Sequence, residues 1–263
     1  MRNPDPVAMS AALPSGEPRG TPVPPPESPY WLFYDEVAAA QVAEWLPREP
    51  CRLLDVSGGR RFAGRAAAAG HDVVHVMADG ADPPAGGGSG RLLPLVADSH
   101  CLDWLQPGSV DRVLAESRAL SMCLATEVTL EQLVRVLRPG GRLLLVVESL
   151  MLGLARLAEQ GRWAELADAP SADVVLVPAD DGTLTRCFWP QEMHGLLTDA
   201  GLDVEWVLPR TVLSPATVER ALSEGGAAAL RTLVKTELAL AREREGEATG
   251  LHLVASARRP PAP

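Results

Sequence analysis

Short apolar runs recur along the chain, and the stretches between them repeat apolar positions three or four residues apart. The runs at 51–56, 72–77, 92–97, 110–115 and 142–148 predict strands. The segments between them predict helices at 60–69 and 126–137, a short one near 101–105, and a Gly/Pro loop over 79–90. Runs such as RLLLVV are apolar throughout rather than alternating, the pattern of parallel strands covered on both faces. Upstream, the aromatic cluster YWLFY leads into a helix that Pro47 ends. Beyond the fifth strand come a helix over 150–167 and two strand-like runs, DVVLVP and TLTRCFW, joined across ADDG as a hairpin. A helix over 190–200, a strand at 203–208, a helical stretch over 215–245 broken at Gly225 and Gly226, and a closing strand in GLHLVASARR complete the chain. Strands alternating with helices define an α/β fold with a doubly wound sheet, the hairpin segment of about 150–188 being an insertion over its carboxyl edge.

Composition sharpens this picture. Residues 1–29 are rich in Pro, Gly and Ser with little to bury, so they are expected to form a disordered tail ahead of a single domain over 30–263. No apolar stretch approaches the ~18 residues of a membrane span, and no basic-then-apolar leader opens the chain, which points to a cytoplasmic protein that meets no membrane. A net charge of -10 and scattered arginines, with Lys235 the single lysine, argue against a nucleic-acid partner and for a small molecule. Cys51, Cys101, Cys123 and Cys187 lie far apart without metal-site spacing, so they are read as reduced structural thiols and no metal is expected. No internal repeat is present.

In a doubly wound sheet the ligand lies outside the carboxyl ends of the strands, beside the first strand-to-helix turn. Here that turn is Asp55-Val56-Ser57-Gly58-Gly59-Arg60. Glycines let backbone approach a ligand and a helix start offers free amides to an anion; the same turn also serves a purely structural role. Asp98 ends the third strand, with Ser99 beside it, and Glu116 ends the fourth. Asp98 is placed to accept from an exocyclic amine or to cap the next helix, but acids at three neighbouring strand ends exceed what capping requires.

From residue 51 to about 258 the chain resembles a class I S-adenosylmethionine-dependent methyltransferase of the type acting on small molecules. SVDRVLAESRALSMC followed by LEQLVRVLRPGGRLLLVVES resembles the family's fourth strand, next helix and turn into the fifth strand. FWPQEMHGLLTDAGLDVEWV resembles its late helix and sixth strand, and ALRTLVKTELALAREREGEATGLHLVASARRP its closing helix and seventh strand. The resemblance implies a Rossmann-like seven-stranded sheet with an antiparallel last strand, and S-adenosylmethionine as cofactor. It implies that Asp55 organises the glycine loop and the amino group of the cofactor's methionine part, that Ser57 and Gly59 occupy loop positions usually glycine with Gly58 between them, that Asp98 with Ser99 lies near adenine, and that Glu116 touches the cofactor. The chain departs from the family twice. The third loop glycine is missing, Arg60 and Arg61 filling the turn, and Met77 stands where an acid usually binds both ribose hydroxyls, with Asp79 two residues on.

Tyr30, Trp31, Phe33 and Tyr34 either cover the cofactor, where a ring attracts a sulfonium, or anchor the first helix. His100 and His194 are the histidines nearest a cleft and the candidate proton acceptors, against a plain surface or core role; His71, His75 and His252 read as structural. Methyl transfer to a small metabolite is the leading function. A catalytically degenerate descendant serving as a binding or scaffold protein is the alternative, and a nicotinamide oxidoreductase is disfavoured by the absent G-x-G-x-x-G spacing.

Overall fold

The computed structural model describes residues 27–58, 61–77, 88–116, 119–123, 125–179 and 182–262. The expected tail up to residue 26, Gly59, Arg60, Asp79, most of the 79–90 loop and the hairpin's Asp180 and Asp181 lie outside them.

The first half of the chain is α1 (Tyr30–Trp45), β1 (Arg52–Asp55), α2 (Arg61–Ala68), β2 (Asp72–Met77), β3 (Arg91–Val96), β4 (Val110–Ala115), α3 (Thr126–Val136) and β5 (Leu137–Ser149). The second is α4 (Leu150–Glu159), α5 (Trp163–Asp168), β6 (Val175–Pro178), β7 (Leu184–Phe188), α6 (Pro190–Asp199), β8 (Asp203–Arg210), α7 (Pro215–Glu243) and β9 (His252–Arg258). Strands β3, β2, β1, β4 and β5 run parallel in that order. β9 adds antiparallel to β5, Arg142 pairing Arg258 through Glu148 pairing His252, and β8 adds antiparallel to β9. Among the described residues the sheet has nine strands; without the hairpin β6–β7, the expected seven remain with one antiparallel member.

β4 pairs with β5 only as far as Leu145, and β7 then takes over that edge through Glu148–Cys187 and Ser149–Phe188. The hairpin therefore stands above the carboxyl end of β4, where the ligand crevice of such a sheet lies. Alternation along β5 divides the core. Leu144 and Val146 pack with α1, α2 and α7 residues such as Val37, Phe62 and Val218. Leu143, Leu145 and Val147 pack with Leu133, Met193 and Leu197 of α3 and α6 on the other face. Leu150, Leu157, Val177 and Cys187 make a smaller core beneath the hairpin.

Two expectations are corrected. Residues 101–105 form turns instead of a helix. The Arg135 guanidinium takes the carbonyls of Leu102 and Leu105 at 2.7 and 2.9 Å, and a segment so short gains too few helical bonds to repay nucleation. The helix over 150–167 is two helices, because Gly161 turns left-handed (φ 68) and the Arg162 N–H closes back onto Leu157 O at 2.9 Å, a helix-ending motif that glycine permits.

Candidate functional site

Asp55 ends β1 fully buried. Its Oδ1 accepts the Ser57 N–H at 2.9 Å, and Oδ2 lies 3.2 Å from His75 Nδ1 on β2. A carboxylate only accepts, so His75 presents Nδ1–H to it. The Ser57 hydroxyl oxygen accepts the Glu116 N–H at 2.9 Å, and the Val56 N–H donates to Leu114 O at 2.9 Å, so the turn is stitched to β4 at two points, while the Asp55 carboxylate ties it to its own strand. Gly58 follows at φ 68, in the left-handed region that glycine enters freely.

The Glu116 side chain turns inward and meets Arg210, whose Nη1 lies 2.6 Å from Oε1; the two side chains are 2% and 0% exposed. Arg210 ends β8, and its Nε donates to Gln41 Oε1 at 2.7 Å and its Nη1 to the Tyr34 hydroxyl at 3.3 Å, both on α1. The guanidinium also stacks over the Tyr34 ring at 5.4 Å, and His252 meets that ring edge-on at 5.3 Å. Thr211, next in the chain, holds a positive φ of 64, which costs a β-branched residue energy and persists where neighbours over-determine it. Glu237 of α7 supplies that constraint, accepting the Val212 and Leu213 N–H groups at 2.8 and 3.0 Å. Burial pushes the Glu237 carboxyl above its ordinary value, and the Leu213, Val212 and Thr211 amides pull it back. Tyr30 and Phe33 are fully buried, so these rings anchor α1 to the body.

The remaining candidates are spread around this edge. Met77 ends β2 buried, opposite Val96, and brings an apolar thioether to that strand end. Asp98 follows β3 with its side chain 65% exposed. Its Oδ1 accepts the His100 N–H at 2.8 Å and lies 3.1 Å from His100 Nδ1, and the backbone N–H foremost holds the carboxyl below its ordinary value. Ser99 sits half-buried in the same turn. His194 departs from expectation: exposed on α6, it lines a cleft with Val204, Glu205 and Trp206 of the first half of β8, away from the carboxyl ends of β1 and β4. Among the described residues no group of His, Cys, Asp and Glu has metal-site geometry.

Sequence reasoning missed the buried polar residues that join the segments beyond the carboxyl ends of β4 and β5. Glu148, fully buried at the end of β5, pairs with Arg156 of α4, and its N–H donates to Ser121 Oγ at 2.8 Å. On β7, Arg186 donates to Glu127 and Glu192 at 2.9 and 3.0 Å and through its own N–H to Ser121 O at 2.7 Å. Ser121 is thus held between β5 and the hairpin. Ser121 lay in a quoted motif, but hydroxyl-to-backbone bonds across the chain leave no local signature.

This sheet order, with a turn after β1 at its reversal point, is the fold of S-adenosylmethionine-dependent methyltransferases. Solved structures bear it out. A SAM-dependent methyltransferase from Methanosarcina mazei superposes with TM-score 0.54 at 17% identity, over 84% of this chain and 98% of that one. The 1,6-didemethyltoxoflavin-N1-methyltransferase of Burkholderia thailandensis, solved with 1,6-didemethyltoxoflavin and S-adenosylhomocysteine, gives 0.54 at 18% identity over 88% and 81%. The cyclase SpnF, which is named for a 4+2 cyclisation, gives 0.53 at 17% identity over 86% and 81%. No protein-family model matches the chain, and no curated protein matches it in sequence. Among the described residues no helix is long and apolar enough to cross a membrane.

Proposed function

We propose that the chain binds S-adenosylmethionine across the carboxyl ends of β1 to β4 and transfers its methyl group to a small molecule. The observation that carries this reading is the preformed Asp55–Ser57–Gly58 turn. Ser57 stands at a position where glycine is usual, yet its hydroxyl is used to hold the loop against Glu116, so the loop keeps its shape without that glycine. Asp55 and the turn suit the methionine end of the cofactor, and the exposed Asp98 carboxylate with Ser99 suits an adenine amine. Met77 offers the ribose only apolar contact, so affinity rests on the two ends. Bound there, the cofactor brings a methyl group already activated by its sulfonium. The protein's part is to hold a nucleophile in line and to exclude water, the largest contribution such a site makes. Met122, Met151 and Trp189, exposed on the segments leaving β4, β5 and β7, favour an apolar substrate body.

S-adenosylhomocysteine tests this directly. At a hundredfold excess over Kd a ligand of the native state adds about 2.7 kcal/mol, which raises Tm by about 5–11 °C for a domain of this size. Asp98→Ala is expected to remove most of that rise without lowering the Tm of the free protein. No rise at millimolar ligand overturns the reading and favours the second one, a binding protein that uses the fold without methyl transfer. The engagement of Glu116 by Arg210 supports that alternative.

A further inference from the structure

A cavity of about 550 Å³ opens between α1, β8 and α7, on the part of the molecule away from the crevice just described. α1 fixes the separation. Tyr34 sits at Arg210 and His252, whereas Trp45, eleven residues further along a helix rising 1.5 Å per residue, lies about 16 Å away at the other end of the strands. Among the described residues none of those assigned to the cofactor lines this cavity; Gln41, which accepts from Arg210 Nε, is the point where its wall comes nearest to them. Its volume falls within the range of small-molecule sites, about 300–1,000 Å³.

The walls combine indole, carboxylate, guanidinium and aliphatic groups. Trp45 Nε1–H donates to Ser256 Oγ at 3.1 Å, the Ser256 hydroxyl donates to Glu205 Oε2 at 2.8 Å, and Glu205 Oε1 pairs with Arg142 at 2.8 Å. This chain locks one indole and one carboxylate in place. Trp206 supplies a second indole, half-buried, and Leu208, Leu238 and Ala241 an apolar floor. Of the three lining carboxylates, Glu205 pairs with Arg142 and Glu44 with Arg242. Glu245 is the third, so the lining carries one negative charge beyond its two guanidinium groups. The Arg112 guanidinium already covers the Trp45 ring at 5.9 Å, which leaves the Trp206 face and the Glu245 carboxylate to attract a cation of low hydration.

We propose that this cavity is a second small-molecule site, which takes a compact apolar or aromatic body bearing a single positive charge, such as an aryl-alkyl quaternary ammonium. The body lies on Leu238, Ala241 and the indoles, and the cationic end faces Trp206 and Glu245. Its occupant is independent of S-adenosylmethionine, and the site stands whether or not the crevice binds that cofactor.

Titration calorimetry with benzyltrimethylammonium, with benzyl alcohol and benzenesulfonate as neutral and anionic comparators, tests the assignment. The cation is expected to bind, the alcohol to bind more weakly, and the sulfonate least. Trp206→Leu, which keeps apolar packing, removes a cation–π contact and is expected to weaken the cation by about 5- to 30-fold. Glu245→Gln, on the exposed rim, is expected to weaken the cation while leaving the alcohol unchanged. Saturating S-adenosylhomocysteine is expected to leave the cation's affinity unaltered. The proposal is overturned if the cation fails to bind the wild type, if the sulfonate binds as well as the cation, if neither variant changes cation affinity, or if S-adenosylhomocysteine displaces the cation. The last result would place the probe in the crevice. A failure of S-adenosylhomocysteine to bind at all would touch only the methyltransferase reading.

Discussion

Replacing Arg210 with methionine removes the cation paired with Glu116 and leaves a carboxylate at the end of β4 in a site where its side chain is 2% exposed. Because neither partner reaches solvent, no discount for screening applies, and breaking such a pair costs about 3–5 kcal/mol. For a domain of this size Tm falls by about 2–4 °C per kcal/mol, hence by about 6–20 °C. Glu116→Gln alone strands the guanidinium instead and is expected to cost a similar amount. The double variant, Arg210→Met with Glu116→Gln, leaves no buried charge unpaired. It forfeits the bonds of Arg210 to Gln41 and Tyr34, at about 1 kcal/mol each, and is expected to lie well above the sum of the single losses. Urea unfolding followed by tryptophan fluorescence, with an unchanged m-value as the check on two-state behaviour, gives the three differences. Losses below about 1 kcal/mol in either single variant, or additive losses in the double, would refute the view that these groups form one buried electrostatic unit.

Ser57→Gly, which restores the commoner loop residue, is expected to weaken S-adenosylhomocysteine binding by calorimetry, because it cuts the staple to Glu116; tighter binding would contradict the role assigned to the hydroxyl. Gly153→Ala places a methyl 2.8 Å from Cys187 Sγ beneath the hairpin and is expected to cost about 1–3 kcal/mol, read as a lowered Tm. Iodoacetamide at pH 8 is expected to label exposed Cys101 first, with mass spectrometry locating the adduct. Burial pushes the Cys51 thiol from its ordinary 9.0 up to about 11 and the Cys187 thiol up to about 12. A group whose pKa is raised by folding contributes stability below its unfolded value and loses it above, so Tm is expected to decline as pH rises from 9 toward 11.

The parallel sheet was legible because its strands are continuous apolar runs, which few other structures tolerate, and Asp55, Met77, Asp98 and Glu116 were legible because each terminates such a run. The pairing that governs Glu116 was not. Arg210 lies two residues past the predicted end of its strand, and its partners on α1 are 169 and 176 positions away, so nothing local in LPRT marks it. The 101–105 helix failed for the same reason, its carbonyls being claimed by the distant Arg135. His194 was placed by its helix, but which end of β8 that helix reaches depends on packing that periodicity does not encode.

The docking of α1 has a consequence for how the chain is made. The helix leaves the ribosome early, yet Trp45 finds its hydrogen-bond partner Ser256 211 positions later, and Tyr34 must wait for Arg210 and His252. At about 5–20 residues per second of synthesis, an aromatic helix remains unsheltered for roughly 10–40 s. A chain cut short before β9 would keep it exposed indefinitely. The growing chain therefore offers chaperones, and other unfinished chains, an apolar surface that the mature protein buries.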